Sequence, residues 1–180
     1  MNKLANPAPL GLIGFATTTW LLSMINAGWL SPDGEGIVLA MAFAMGGSMQ
    51  LLAGIMEYAR GNTFGFTAFN AYGAFWWSYA LFVIFFSAKV PGVMVGWYLL
   101  LWGIFTFYMW IGTLKLGGAL QLVFLALWLT FVVLAIGAFA GSSGITHVGG
   151  YLGLITAILA GYTSAAQVLN EVYGRTVLPA

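Results

Sequence analysis

Apolar positions run almost unbroken through six stretches: Leu10–Leu30, Gly36–Ala59, Phe64–Ser87, Val93–Leu114, Gly118–Ala140 and Ile145–Asn170. Each is long enough for the roughly 20 residues that a helix needs to cross a hydrocarbon core. The interruptions are short and carry turn chemistry. They are Ser31-Pro32-Asp33-Gly34-Glu35, Arg60-Gly61-Asn62, Lys89-Val90-Pro91-Gly92, Lys115-Leu116-Gly117-Gly118 and Gly141-Ser142-Ser143-Gly144. Membrane-spanning strands would alternate over about ten residues, whereas these runs are continuously apolar. The pattern predicts an all-α polytopic membrane protein, with one domain of six transmembrane helices over residues 1–180.

Composition agrees and removes whole classes of chemistry. Of the 180 residues, 62% are hydrophobic and 5% charged, against roughly 25% charged in an ordinary soluble domain. Cysteine is absent, so disulfides, thiol catalysis and thiolate metal sites are excluded. The single histidine, His147, cannot build an imidazole metal site, and no cofactor or metal is expected. A net charge of +1 gives no field for nucleic acid. A membrane enzyme would need an acidic cluster or nucleophile at mid-depth, and none is present. A light-driven pump would need a lysine within a helix, but Lys89 and Lys115 fall in breaks. The reading is therefore a non-enzyme.

Charge orients the chain. Six crossings put both termini on one side, together with Lys3, Arg60, Lys115 and Arg175, and leave Lys89 on the other. By the positive-inside rule both termini are cytoplasmic, in a multi-pass protein of the cell (plasma) membrane. Lys3 is followed at once by Asn6-Pro7-Ala8-Pro9, so no removable leader is expected and the first span stays in the mature chain. In the sixth span Gly149, Gly153, Ala157, Gly161 and Ala165 form a small-residue stripe, and the second carries Ala42, Gly46, Gln50 and Gly54. Such stripes suit either close helix packing or a smooth pore wall. Trp29 and Trp97 sit where interfacial anchors belong, whereas Tyr72, Trp76 and Trp102 lie deeper.

The segment Asn6-Pro7-Ala8-Pro9-Leu10-Gly11-Leu12 is the most informative. Proline suits the first turn of a helix, which places Asn6 to cap the first span. The open N–H groups of that end favour an anion such as a carboxylate, although a stiff helix start at the membrane surface explains the same residues. Gln50 is a buried amide that either binds a passing carboxyl group or ties two helices together. Thr17, Thr18, Thr19, Ser23, Asn26, Asn70, Thr106 and Thr130 are less specific, because such side chains usually bond their own backbone. Glu57 and Glu171 are the charged candidates. Each is placed either to carry a proton or to pair with Arg60 or Arg175, respectively.

Asn6-Pro7-Ala8-Pro9-Leu10-Gly11-Leu12 resembles the signature of the acetate uptake transporter family, the succinate–acetate permeases. The resemblance continues through Glu57-Tyr58, Gly61-Asn62-Thr63-Phe64-Gly65, Tyr72-Gly73-Ala74-Phe75-Trp76 and Trp102-Gly103-Ile104-Phe105-Thr106. It extends to Gly112-Thr113-Leu114-Lys115, Leu169-Asn170-Glu171 and Gly174-Arg175-Thr176-Val177-Leu178-Pro179. It implies channel-like or proton-coupled passage of acetate and related carboxylates, with succinate among them. It also implies a homohexamer in the lipid bilayer, whose six-helix protomers each surround a central pore. The family's narrow point maps to Phe15, Tyr72 and Leu127. Measured from their helix starts, the three lie at comparable depths of roughly 9–14 Å at 1.5 Å per residue. Depth alone reads equally well as an aromatic core. No cation lies at mid-membrane, so a carboxylate would meet neutral donors only: helix ends, Gln50, the Tyr72 hydroxyl or water. Substrate contacts are thus expected at Asn6, Gln50 and Tyr72. The alternative within transport is a six-helix channel for neutral solutes such as urea or short amides.

Overall fold

A computed structural model describes residues 4–179. Lys3, used above to orient the chain, lies outside them. Six helices are long and apolar enough to cross a membrane: α1 (Ala8–Asn26), α2 (Pro32–Ala59), α3 (Thr63–Lys89), α4 (Gly92–Thr113), α5 (Gly118–Ala140) and α6 (Ser143–Tyr173). The described residues contain no strand. The six predicted spans are all present, with shifted ends. α1 starts before Leu10 because Pro7 and Pro9 fit a first turn that needs no N–H donors. It stops at Asn26, and the chain then turns through Gly28, whose positive φ of 75° suits glycine. α3 runs on through Lys89 in a loosened last stretch, so that lysine ends a helix rather than occupying a break. The 31 residues of α6 span about 46 Å at 1.5 Å each, more than the roughly 30 Å core.

One departure from regular helix was not foreseen. Within α2, residues Ala42–Met49 wind as a π-helix. Gly46 and Gly47 weaken the local α-helix. The Ser48 hydroxyl, within the stretch, takes up one loosened carbonyl by donating to Phe43 O (2.7 Å), while Thr18 Oγ1 on α1, whose shorter bond is to Gly14 O (2.9 Å), lies 3.3 Å from Met41 O. The widened turn seats Gly46 and Gly47 against the indoles of Trp76 and Trp77 on α3.

The helices are arranged as a ring in the order α3, α2, α1, α6, α5, α4. Gly153 lies against Ser23 of α1, Gly149 against Leu134 of α5, and Gly161 opposite Ala16. From Gly149 to Gly161 the α6 stripe is therefore a packing surface, while Ala165 at its end is exposed. Gly150, outside the stripe, lies directly against the backbone at Asn26–Ala27. The ring closes at the α3–α4 seam, where backbones stay apart and aromatic side chains bridge. Tyr72 meets Phe105 at 5.3 Å between ring centroids, and Phe75 meets Trp102 at 5.2 Å.

Candidate functional site

Phe15, Tyr72 and Leu127 come from α1, α3 and α5, and all are buried. They line one cavity of about 80 Å³ together with Leu12, Gln50 and Phe124. The Phe15 and Tyr72 rings lie 6.0 Å apart between centroids, as do those of Tyr72 and Phe124. Phe15 and Leu127 also line a second cavity, of about 250 Å³, with Thr19, Ser23, Phe75 and Trp76. The layer therefore stands where an inner and an outer cavity meet. Tyr72 faces the inner one.

Hydrogen bonding fixes what Tyr72 can offer. Its hydroxyl is 2.9 Å from Thr106 Oγ1, and Thr106 donates its own proton to Trp102 O at 2.7 Å. Thr106 has a single proton, so Tyr72 is the donor of the pair. Its oxygen is left with lone pairs. The expected donor to a carboxylate is thus committed to α4, and the Tyr72 oxygen is left only to accept.

The inner cavity opens toward the terminal face, the side carrying both ends of the chain. There a vestibule of about 330 Å³ is lined by Asn6, Glu57, Arg60, Asn62, Leu116 and Gln167. Glu57, Asn62 and Gln167 line the inner cavity as well. Asn6 ties the rim together: its amide donates to Gln167 Oε1 (3.0 Å) and its Oδ1 accepts from Arg60 Nη1 (2.8 Å) and the Ala8 N–H (3.2 Å). The cap position itself belongs to Pro7, not Asn6. The correction is one residue, because the Pro7 carbonyl is the first to accept bonds, from the N–H groups of Leu10 and Gly11. Asn6 still satisfies one N–H, but its other contacts make it a cross-brace over the rim.

The glutamates separate. Glu57 is only 1% exposed, and Asn62 Nδ2 donates to its Oε2 at 2.9 Å. The expected Glu57–Arg60 pairing is replaced, since Arg60 turns to Asn6 and to the Ala5 carbonyl. Glu171 is exposed, away from either cavity lining. Gln50 is 1% exposed, and its Oε1 has no partner among the described residues, so it is not a tie between helices. Asn70 bonds Phe66 O on its own helix. His147 is exposed near Gly28. Among the described residues no cluster of three or more His, Asp or Glu side chains is placed for a metal. Gln167 escaped the sequence reading, although one amide in an apolar run, four residues before Glu171, was its visible signal. Thr106 was grouped with the unspecific hydroxyls and proves to fix Tyr72.

The profile of the GPR1/FUN34/yaaH family matches residues 1–179. The chain belongs to this family. It is 49% identical over 184 residues to the succinate-acetate/proton symporter SatP of Escherichia coli K12, covering 99% of this chain and 96% of that one. Against acetate permease A of Emericella nidulans identity is 37% over 197 residues, covering 99% of this chain and 66% of the relative. A solved structure of the bacterial acetate channel SatP superposes with a TM-score of 0.94 at 48% identity, covering 98% of this chain and 99% of that one. The shared fold extends over almost the whole chain, and of the blocks that carried the sequence resemblance, Ala8, Leu12, Glu57, Asn62, Tyr72 and Trp76 line the two cavities.

Proposed function

We propose that this chain carries acetate and related small carboxylates, succinate among them, across the cell membrane through a pore in each protomer. The observation that supports this most is the pair of cavities divided at Phe15 and Leu127, in a chain so similar to an acetate channel. Phe15, Tyr72 and Leu127 act as the selectivity layer: two rings and a branched chain exclude hydrated ions by dewetting. A methyl-sized tail sheds water there cheaply, and each added CH₂ changes transfer by about 0.8 kcal/mol. Gln50 supplies a neutral amide to the carboxyl group below the layer, Tyr72 an acceptor suited to an acid O–H, and Asn6 a polar contact at the rim.

The working unit is a homohexamer, and the reaction is transport with no catalytic step. Small-residue faces allow close helix contact where lipid offers no hydrophobic drive of its own. In mild detergent the measured mass should be several-fold the 19.2 kDa of the chain; a monomer throughout would count against the assembly. Uptake of radiolabelled acetate into proteoliposomes, above a lipid-only blank, tests the function. Propionate and succinate should compete and urea should not. Competition by urea alone would favour a neutral-solute channel.

A further inference from the structure

Glu57 is the most buried carboxylate among the described residues, and it lines both the vestibule and the inner cavity. An ionised side chain in such a place needs strong partners. Glu57 has one neutral donor, Asn62 Nδ2 on Oε2, while no protein group among the described residues donates to Oε1. Apart from Arg60, the residues that share its two cavities carry no charge. Asn6 and Ala8 stand at the start of α1, Asn62 and Phe64 at the start of α3, Leu120 on α5 and Gln167 on α6. Tyr72, from α3, is the other titratable group on the inner cavity and its proton is held by Thr106. The charged neighbour is Arg60 on the vestibule wall, and Lys115 adjoins Leu116 of that wall in the α4–α5 turn. Beyond Glu57 the cavity is walled by Leu12, Phe15, Phe69, Val123 and Phe124, where a bare carboxylate is costly and a neutral acid is not.

Resting on the transport reading above, we propose that Glu57 exchanges the proton that travels with the substrate at this boundary. A carboxylate drawn to Arg60 from the terminal face takes the proton of the Glu57 carboxyl. The O–H bond at Glu57 breaks, one forms on the substrate oxygen, and the neutral acid passes the apolar layer. Glu57, left as carboxylate, regains a proton from hydronium in the vestibule, which leaves as water. An acid arriving from the opposite face gives its proton to Glu57 by the reverse step and leaves as the anion toward Arg60. Substrate therefore need not arrive already neutral.

The pH profile of labelled acetate flux in proteoliposomes tests this on the full chain. Acetic acid has an ordinary carboxylic pKa between roughly 4 and 5, so under about 1% is neutral at about pH 7 and about half at about pH 4.5. Glu57→Gln should lose at least about tenfold at the higher pH and stay within about twofold of wild type at the lower, while Glu57→Asp recovers much of the loss. A structural role would lower flux by one factor at both. Equal losses, or none at either pH, overturn the proposal while leaving acetate transport intact; wild-type flux no higher than the lipid blank overturns both together. Should Glu57→Gln not fold, Asn62→Ser decides. Serine keeps the helix cap that Asn62 Oδ1 gives Gly65 N–H but removes the donor to Oε2. The ratio of flux at about pH 7 to flux at about pH 4.5 should then differ from wild type by about tenfold, the weight of a hydrogen bond to a charged group. An unchanged ratio overturns the proposal.

Discussion

Gln50 holds an amide oxygen without a partner in a buried, largely apolar wall. Leaving such a group unpaired costs about 1–3 kcal/mol, a cost that packing alone gives no reason to bear. Gln50→Leu removes it at similar volume. The variant should keep or raise its Tm in detergent, while acetate flux falls about tenfold through a lost hydrogen bond to a carboxyl group. Unchanged flux would make Gln50 a packing residue. At this scale the sequence was half legible. It named Gln50, Glu57, Tyr72 and Asn6, because a polar or aromatic residue within an apolar run stands out. It did not reveal that Tyr72 spends its proton on Thr106, or that Arg60 leaves Glu57 for Asn6. Those choices depend on which helices are neighbours, and a run of apolar letters carries no record of that.

Helices were legible as existence and type, since each apolar run exceeds the span of a bilayer core and each break holds Gly, Pro, Ser or charge. The π-helical stretch Ala42–Met49 was not, because its cause is a meeting of Gly46 and Gly47 with Trp76 and Trp77 on another helix. That contact predicts a measurable penalty. A Cβ on Gly46 would stand 2.7 Å from the Trp76 ring, so Gly46→Ala must push the indole or the backbone. Overpacking of this kind costs about 1–3 kcal/mol, read as a lower Tm. An unaltered Tm would mean that the π-turn relaxes to α without strain. The proposed selectivity layer likewise draws on three elements at once, α1, α3 and α5. Leu127→Ala should open it and raise flux of lactate and succinate relative to acetate. If the size profile is unchanged, the layer lies elsewhere along the two cavities.

The whole molecule carries little charge, so its orientation depends on a few residues. Six crossings place Arg60, Lys115 and Arg175 on the terminal face and Lys89 opposite. The positive-inside rule counts Lys and Arg in short loops, and every loop here is short, so the terminal face should be cytoplasmic. That assignment also sets the direction of the Glu57 vestibule, which would then open to the cytoplasm, with the larger cavity facing outward. Because the chain has no cysteine, single substitutions can report sidedness without background. Lys89 and Lys115 are both exposed and sit at opposite ends of α4, so Lys89→Cys and Lys115→Cys bracket the bilayer. In intact cells an impermeant maleimide should label Lys89→Cys at once and Lys115→Cys only after permeabilisation. Labelling in the reverse order would invert the molecule. The Arg60 rim would then be the entrance for external carboxylate, and the small set of cations would have been too few to govern insertion.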